Sequence, residues 1–177
     1  MNAATVSEKV LFNFQAASNA TPAWQVVNDD VMGGVSTSHF QILTNRGAVF
    51  GGVLSLENNG GFASVRSSPV GQSLKGFDAF VLRVCGDGRR YKFTARTARS
   101  FDSAIYQVAF STKKGEWQEH RLPVKDFVAT FRGRMLADAP PFDPANLASV
   151  GFLISDQQAG PFQLEVAWIK ATPAAGK

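Results

Sequence analysis

The sequence predicts an all-β fold, either a sandwich or a barrel. Short segments alternate apolar and polar residues, and Gly- and Asn-rich turns separate them. No segment keeps the apolar period of about 3.6 residues for three helical turns, so long helices are not expected. Many short strands with turn residues between them are typical of sandwiches and barrels. Fifteen Phe and three Trp further indicate a core of flat aromatic side chains, as between two packed sheets.

The predicted strands follow one another along the chain. They are expected at 40–43, 48–56, 61–67, 77–85, 90–96, 104–111, 117–122, 150–155 and 162–169. The turn formers between them lie at 45–47, 58–61, 86–88 and 113–115. Short helical turns are expected only near 124–127 and 143–147.

Alternation within the strands assigns side chains to faces, because successive residues of a strand point to opposite sides. The residues predicted to face the interior are Tyr91, Phe93, Ala95, Tyr106, Val108, Phe110, Phe162, Leu164, Val166 and Trp168. Their neighbours on the opposite faces include Arg, Lys, Gln and Thr. Two sheets packed through the apolar faces would leave polar outer faces, and a concave outer face would form a groove.

Length and composition are those of one soluble globular domain. At 177 residues the chain is long enough for a single core, which we place at 7–171, with 1–6 and 172–177 as frayed termini. The net charge of +4 comes from scattered residues, so nucleic acid is not an expected partner. Cys85 is the only cysteine, which excludes an internal disulfide.

Targeting signals are not recognised in the sequence. The first residues, MNAATVSEKVLFNFQ, have neither the basic and apolar segments of a secretory signal nor the Arg-rich pattern of a transit peptide. No run approaches the roughly 20 apolar residues of a transmembrane segment. A cytoplasmic location is therefore expected, with a mature chain stripped of its presequence as the alternative.

The most informative segment is 24–38, WQVVNDDVMGGVSTS. Strands are depleted in Asp, Asn and Gly, so this segment is not expected to be a plain strand. Asn28, Asp29 and Asp30 supply hydrogen-bond acceptors, and the following Gly-Gly pair permits backbone conformations closed to other residues. The loop therefore either folds on itself or presents polar groups to a ligand.

Catalytic motifs are missing from the sequence. His39 and His120 have no neighbours suited to a triad, and no P-loop, G-x-S-x-G, G-x-G-x-x-G or H-E-x-x-H occurs. Cys85 lies among apolar residues and is interpreted as an inert thiol. We therefore expect neither an enzyme nor a bound cofactor.

Carboxylates in turns leave alternatives open. Asp29, Asp30, Asp87 and Asp156 could supply the pair that glycoside hydrolysis needs, but all lie in turns, where Asx-type hydrogen bonds are equally expected. The 28–30 segment also offers calcium ligands, although it does not match an EF-hand. Cysteine- and histidine-rich spacing is absent, so no metal site is assigned.

A second cluster, Arg132 and Arg134, lies in the sequence FRGR after a Phe-rich stretch. Guanidinium groups suit carboxylate, phosphate or aromatic partners. We hypothesise that these arginines line one face with the loop above, together with Arg66, Arg96 and Asp156. Pairing among these acidic and basic groups, which would make the cluster structural, is the alternative.

Several blocks occur in a recognisable order. They are W-x-x-V-N-D-D-V-M-G-G-V-S-x-S (24–38), F-x-G-x-L-S-L-E-N-N-G-G-F-A-S-V-R (50–66), L-R-V-x-G-D-G-R-x-Y (82–91), F-R-G-R (131–134) and G-F-x-I-S-D-x-Q-x-G-P-F-x-L-E-V (151–166). Their order resembles the complex I intermediate-associated protein 30 family over about 12–169. The resemblance implies a two-sheet antiparallel β-sandwich of jelly-roll type, galactose-binding-domain-like and related to family 11 carbohydrate-binding modules.

The mitochondrial members of this family are assembly factors for NADH:ubiquinone oxidoreductase and catalyse no reaction. The resemblance implies a non-catalytic protein-binding domain, an assembly factor or chaperone-like partner for respiratory complex I or another membrane-associated complex. Its expected partners are respiratory-complex subunits or assembly intermediates. The alternative is a carbohydrate-binding module with a weak sugar ligand, for which Trp24 and Trp117 are the aromatic candidates.

Motif positions and strand faces together define the predicted partner site. It comprises Asn28, Asp29, Asp30, Met32, Ser36, Arg66, Asp87, Arg89, Arg96, Arg132, Arg134 and Asp156. Met32, beside the Gly-Gly pair, is the predicted apolar anchor. The alternative is that the polar residues of this set lock the edges of the sandwich.

Overall fold

The computed structural model describes residues 7–16, 23–97 and 104–174. Within these residues the protein is all-β, with its strands in two antiparallel sheets and its helical elements limited to short 3-10 turns. The predicted all-β sandwich is therefore confirmed. The expected frayed residues 1–6 and 175–177 lie outside the described residues, whereas the last strand continues to Pro173, beyond the domain end expected at 171.

The strands in chain order are β1 (Lys9–Asn13), β2 (Trp24–Asn28), β3 (Thr37–Leu43), β4 (Gly47–Leu54), β5 (Ala63–Ser67), β6 (Phe77–Cys85), β7 (Arg90–Arg96), β8 (Ile105–Ser111), β9 (Trp117–Pro123), β10 (Val128–Phe131), β11 (Arg134–Met135), β12 (Ser149–Ile154) and β13 (Gly160–Pro173). Sheet A has the order β3-β4-β13-β6-β9, and β1 also pairs with β13. Sheet B has the order β11-β10-β8-β7-β12-β5-β2.

The 3-10 turns are Asp29–Met32, Glu57–Asn59, Val124–Asp126 and Pro144–Asn146. The last two confirm the short helical turns predicted near 124–127 and 143–147. In the last turn, the carboxylate of Asp143 accepts a hydrogen bond from the N–H of Ala145 (2.9 Å), which satisfies a donor that the turn itself leaves unpaired.

Among the described residues, four strands were not predicted. β2 forms from the first residues of the 24–38 segment, because its sequence WQVVN pairs along β5 before the Asp residues begin. β1 pairs with the far end of the chain, β10 has four residues, and β11 has two. Elements as short as β10 and β11 carry too little alternation to be recognised.

The core lies between the two sheets and is rich in aromatic rings. Phe50, Phe80, Tyr91, Phe93 and Phe152 are at most 1% exposed. The rings of Phe80 and Phe93 meet across the interface with centroids 5.1 Å apart. These contacts confirm the expected aromatic core, and aromatic pairs at such distances add stability beyond the area that they bury.

Trp168 differs from its predicted orientation. The pairing of β13 with β6 shifts between Val166 and Trp168, as at a β-bulge. One extra residue there reverses the alternation, so Ala167 and Ile169 are buried while Trp168 is partly exposed. Lys170 Nζ lies 4.2 Å from the centroid of the Trp168 ring.

One end of the sandwich, which we call the crossover end, gathers the loops that pass between the sheets. They are 29–36, 55–62, 86–89, 112–116 and 155–159. The β3–β4 hairpin and the turn between β10 and β11 lie at the opposite end. None of the helical turns in 7–16, 23–97 and 104–174 has the length and apolar character of a membrane span.

Candidate functional site

The loop 29–36 folds around the carboxylate of Asp29, which is completely buried. Asp29 accepts hydrogen bonds from the backbone N–H (2.9 Å) and the hydroxyl (2.6 Å) of Ser36. Its Oδ2 also accepts bonds from the N–H groups of Gly61 (2.7 Å) and Phe62 (3.3 Å) on the next crossover loop. Burial opposes ionisation, but these hydrogen bonds outweigh it and hold the pKa of Asp29 below its usual value. The carboxylate therefore ties two crossover loops together.

Two glycines make room for this carboxylate. A Cβ on Gly34 would lie 2.4 Å from Asp29 Cγ, and a Cβ on Gly60 would lie 2.6 Å from Asp29 Oδ2. Neither distance is tolerable between non-bonded heavy atoms, so only glycine fits beside Asp29. The spacing of Asp29 and the Gly-Gly pair in the sequence thus reflects close packing inside the loop.

Ser36 and Asn28 extend the same network. The hydroxyl oxygen of Ser36 accepts a hydrogen bond from the N–H of Ser55 (2.9 Å), and Asn28 Oδ1 accepts one from the hydroxyl of Ser38 (2.6 Å). Asn28, Asp29 and Ser36 were all predicted as ligand-binding residues. Their contacts are those of the structural alternative, in which the polar side chains hold the loop in shape.

The outer side of this loop is apolar. Val31 and Met32 are 66% and 63% exposed, and Val35, Val53 and Leu56 are exposed as well. We call these five residues the apolar tip. The hydrogen bond from the Ser55 N–H to the Ser36 hydroxyl oxygen holds the two loops side by side. Asp30 and Glu57 are exposed next to the tip. Exposed apolar residues gathered at one end of a protein, with charged residues beside them, are typical of interaction sites.

Asp87 and Arg89 connect the loop 86–89 to neighbouring elements. Asp87 Oδ2 accepts hydrogen bonds from the Tyr91 hydroxyl (3.0 Å) and the N–H of Gln163 (2.9 Å). The guanidinium of Arg89 donates to the carbonyl oxygens of Gln158 and Ala159. Burial, followed by the negative charge of Asp87, raises the pKa of Tyr91. Asp87 and Arg89 therefore make their hydrogen bonds to other residues of the crossover end.

Asp156 is also held by its own surroundings. Its carboxylate pairs with Arg90 (2.9 Å) and Lys92 (3.0 Å). Partial burial opposes ionisation, but the hydrogen bonds from both cations hold the pKa of Asp156 below its usual value. Gln158, two residues later, bonds through its amide to the backbone of Arg90. The loop 155–159 is therefore fastened to β7.

The predicted site residues do not form one surface, which corrects the one-face hypothesis. Arg132 and Arg134 lie at the turn between β10 and β11, and β10 runs toward the end opposite the 29–36 loop. Arg66 and Arg96 lie on strands β5 and β7, on the outer face of sheet B. The distribution follows from the antiparallel topology, which a sequence pattern does not contain.

Groups with catalytic potential are dispersed. Burial, followed by the charge of Glu165, raises the pKa of the Cys85 thiol, which fits the interpretation of an inert thiol. Burial lowers the pKa of His120, whose ring packs against Phe110. In the described parts of the chain, no three His, Cys, Asp or Glu side chains are grouped so that they could hold a metal ion. The calcium alternative also loses support because both oxygens of Asp29 bind groups of the chain.

The aromatic candidates for sugar stacking divide into buried and exposed rings. Trp24 packs on Phe40 with ring centroids 4.6 Å apart and contacts Phe12 and Phe14, so it belongs to the core. Trp117 remains partly exposed on the outer face of sheet A, with the guanidinium carbon of Arg83 at 5.7 Å from its ring centroid.

Sequence reasoning identified Met32 but missed the other members of the apolar tip. The signal was present as V-M-G-G-V at 31–35, in which apolar residues surround a glycine pair outside any strand. The adjacent Asp residues indicate polar ligands more strongly than these apolar residues indicate an exposed surface. The partners of Asp29 were not identifiable, since Gly61 lies 32 residues away in the chain.

Comparisons with known proteins give a consistent result. A family model described as complex I intermediate-associated protein 30 matches residues 12–166. The mitochondrial complex I intermediate-associated protein 30 of Mus musculus is 30% identical, over 82% of this chain and 51% of that protein. The Drosophila melanogaster protein of the same name is 27% identical, over 90% of this chain and 61% of that protein. The chain thus spans about half to three fifths of the length of these relatives.

Solved structures with the same fold include carbohydrate-binding modules. A family 11 module from Clostridium thermocellum, in complex with a β-1,3-1,4-mixed-linked tetrasaccharide, superimposes with a TM-score of 0.72 at 16% identity, covering 97% of this chain and 99% of that one. A family 29 module gives a TM-score of 0.60 at 10% identity, covering 94% of this chain and 92% of that one. These similarities confirm the jelly-roll sandwich.

The relatives also correct the predicted location. The names of the mouse, Drosophila melanogaster and Neurospora crassa proteins describe them as mitochondrial. The cytoplasmic location expected from the sequence is therefore wrong. That expectation depended on the lack of a recognisable targeting pattern in the first residues and of a long apolar run in the chain.

Proposed function

The chain belongs to the complex I intermediate-associated protein 30 family, and from this membership we propose that it is a non-catalytic protein-binding domain that acts in the assembly of respiratory complex I. The folded unit that we propose for this role is the single sandwich of residues 7–171 together with the last residues of β13. Its proposed partners are complex I subunits or assembly intermediates.

The observation that carries the proposal is the apolar tip on an internally locked loop. The buried Asp29 carboxylate fixes the loop from inside, so the exposed Val31 and Met32 are held in place before a partner arrives. Ordering a flexible loop on binding costs free energy, and a preorganised loop avoids that cost. Rigid apolar anchors at the centre of a contact are the residues that contribute most to protein affinity.

The charges beside the tip indicate what kind of partner surface fits it. Asp30 and Glu57 are exposed on the two loops that carry Met32 and Leu56. We infer a partner with an apolar groove and a basic rim, because opposite charges at a rim orient two proteins and like charges oppose their approach. The same two carboxylates disfavour docking of this tip on an anionic membrane surface.

The carbohydrate-binding alternative has less support. A sugar site requires exposed aromatic rings with polar groups beside them, and Tyr91, Tyr106 and Trp24 are buried or packed in the core. Trp117 is exposed, but a guanidinium already lies near its ring. We therefore retain sugar binding only as an outcome of the test.

The test is recovery of complex I subunits by the immobilised full chain from detergent-solubilised membranes of its host. Wild type is compared with Met32→Asp, and Met135→Asp is the matched control because Met135 is 75% exposed at the opposite end. We expect wild type and Met135→Asp to enrich the same subunits, and Met32→Asp to recover at least about tenfold less.

Two results would contradict the proposal. Equal recovery by Met32→Asp and wild type would remove the tip as the binding site. No enrichment of complex I subunits by wild type, combined with saturable binding of a mixed-linked β-glucan oligosaccharide, would favour the carbohydrate alternative.

A further inference from the structure

The β10–β11 hairpin forms one edge of sheet B, at the end opposite the apolar tip. Phe131 pairs with Arg134 across the hairpin. The N–H of Leu136 donates to a β10 carbonyl (2.9 Å), so the pairing continues past β11. The turn between the two strands is 132–133. We call residues 128–136 the arginine hairpin.

The turn of this hairpin has an unusual residue at its first position. Arg132 and Gly133 have φ values of +48° and +77°. Positive φ at both central residues is the condition of a type I′ turn, in which Asn-Gly is a preferred sequence. Arginine is strained in this backbone conformation and lacks the short polar side chain with which asparagine stabilises it. Strained residues cluster at functional sites, so the apex of the hairpin is a candidate for one.

Exposed apolar side chains lie on both faces of the arginine hairpin. Met135 is 75% exposed, and Val128 and Leu136 are exposed as well. Alternation places Met135 and Val128 on the outer face of sheet B. It places Leu136 on the opposite face, together with the partly exposed Phe131. A flat protein surface could cover only one of these faces, whereas a fluid apolar phase can surround both.

The charged side chains of the hairpin are both positive. Residues 128–136, VATFRGRML, contain Arg132 and Arg134, and the nearest acidic residues in the chain, Asp126 and Asp138, lie outside it. Arg132 already makes contacts within the chain, among them a cation–π contact with the ring of the preceding Phe. Arg134 is exposed, so the contact with an anion is assigned to it. The net charge of +4 adds long-range attraction to negative surfaces.

We propose that the arginine hairpin docks on an anionic membrane surface. Arg134 donates forked hydrogen bonds to a lipid headgroup phosphate. The exposed Met135, Leu136 and Val128 enter the boundary between headgroups and acyl chains, where buried apolar area and attraction to anionic lipids both strengthen binding. A long arginine side chain can reach the headgroups while the apolar residues beside it lie deeper. The hairpin lies opposite the apolar tip, so this docking does not depend on the assembly role.

Other uses of the hairpin fit less well. Arginine on an edge strand discourages pairing with further strands, but that role needs no exposed methionine or leucine beside it. A second copy of the chain, docked hairpin to hairpin, would bring like charges together, which opposes association. The apolar tip has exposed carboxylates beside it, at Asp30 and Glu57. Of these two exposed apolar groups, the arginine hairpin is therefore the one that suits an anionic surface.

The test is co-sedimentation of the full chain with lipid vesicles. Vesicles of phosphatidylcholine are compared with vesicles of an equal mixture of phosphatidylcholine and phosphatidylglycerol, which carry negative charge. We expect saturable binding to the mixed vesicles and little binding to phosphatidylcholine alone. Binding to the mixed vesicles should weaken as NaCl is added, because salt screens the attraction.

Two variants with matched controls locate the contact. Arg134→Gln should weaken binding to the mixed vesicles about fivefold, the effect of one basic residue near an anionic surface. Lys114→Gln, which changes an exposed cation of the crossover end, should bind nearly as wild type does. Met135→Ser should weaken binding about tenfold, because the burial of an apolar side chain is lost. Met32→Ser, which changes an exposed methionine of the apolar tip, is its control and should bind vesicles as wild type does.

Each of the four replaced side chains is exposed, so circular dichroism and the melting temperature should stay near wild type. Vesicle binding that is weakened by Arg134→Gln and Met135→Ser but not by their controls would support the proposal. No binding by wild type, equal binding to both kinds of vesicle, or equal losses in a variant and its control would each overturn it. A wild-type dimer in sedimentation velocity that Met135→Ser dissociates, found without vesicle binding, would overturn it in favour of a second copy.

Discussion

Asp29 Oδ2 lies 2.6 Å from the hydroxyl oxygen of Ser36, and both side chains are buried at the crossover end. The two residues are seven positions apart, so their bond closes the loop that carries the exposed Val31 and Met32. The carboxylate of Asp29, which was predicted to bind a ligand, therefore holds the loop together from the inside. The consequence is a loop with polar groups inside and apolar groups outside.

The first prediction concerns the charge of Asp29. Asp29→Asn should lower the free energy of unfolding by about 2–4 kcal/mol, because it removes the charge and one acceptor from a buried site with four donors. The measurement is urea denaturation followed by circular dichroism. Asp30→Asn, which alters the exposed neighbour, should change stability by no more than about 0.5 kcal/mol. Equal effects of the two changes would show that Asp29 does not hold the loop.

The second prediction is acid destabilisation. The folded-state pKa values of Asp29 and Asp156 lie below the ordinary aspartate value of about 4. The unfolded chain therefore binds more protons than the folded protein in this range. Their stabilisation is present above about pH 4 and is lost as the pH falls through the folded-state pKa values.

The check is the melting temperature measured from pH 7 down to pH 2.5 for wild type and for Asp29→Asn. The fall below about pH 4 should be shallower in the variant, because one of the responsible groups no longer titrates. Curves of identical slope would mean that other carboxylates cause the acid sensitivity. Asp156→Asn should produce a smaller flattening, since the ion pairs of Asp156 are half-exposed and screened by solvent.

The third prediction concerns the space beside Asp29. Gly34→Ala should destabilise the protein by about 2 kcal/mol or more, because the new Cβ would lie 2.4 Å from Asp29 Cγ. Gly71→Ala is the control, since that glycine also lies in a loop, at φ +66, but has no atom within 4 Å of an added Cβ. It should cost only about 1 kcal/mol, for backbone strain. Gly34 itself has no positive φ, so equal losses, measured by urea denaturation, would show that the close approach of the new Cβ to Asp29 is relieved at little cost.

The faces of the strands could be predicted wherever alternation was uninterrupted. Tyr91, Phe93 and Ala95 are buried as expected, because β7 has regular partners on both sides. Trp168 was misplaced because one extra residue in β13 reverses the alternation. A bulge has no reliable local signature, since it depends on how β13 is matched to the strands beside it.

The candidate site could be located but not interpreted from the sequence. The unusual composition of 24–38 correctly marked a special loop. Whether Asp29 faces a ligand or the interior depends on Gly61 and Phe62, which only the folded chain brings to it. The separation of Arg132 from Asp30 likewise follows from strand order. Spacing along the chain therefore identified the important residues but did not predict their contacts.

The last prediction compares a carboxylate that accepts several hydrogen bonds, Asp87, with one in an exposed ion pair, Asp78. Asp87 accepts hydrogen bonds from the Tyr91 hydroxyl, the N–H of Gln163 and the N–H of Arg89. Asp87→Ala should lower the free energy of unfolding by about 2 kcal/mol, because the Tyr91 hydroxyl would lose its acceptor inside the sandwich. Asp78, whose pair with Arg121 is exposed, is the control, and Asp78→Ala should cost no more than about 1 kcal/mol.

The two variants are compared by urea denaturation at pH 7, and each is then measured again in 1 M NaCl. Salt should reduce the small effect of Asp78→Ala, since it screens exposed ion pairs. It should leave most of the effect of Asp87→Ala, because that loss comes from short hydrogen bonds to partly buried groups. If salt abolished both losses equally, Asp87 would act as a surface charge, and its role in fastening the loop 86–89 to β13 would have to be abandoned.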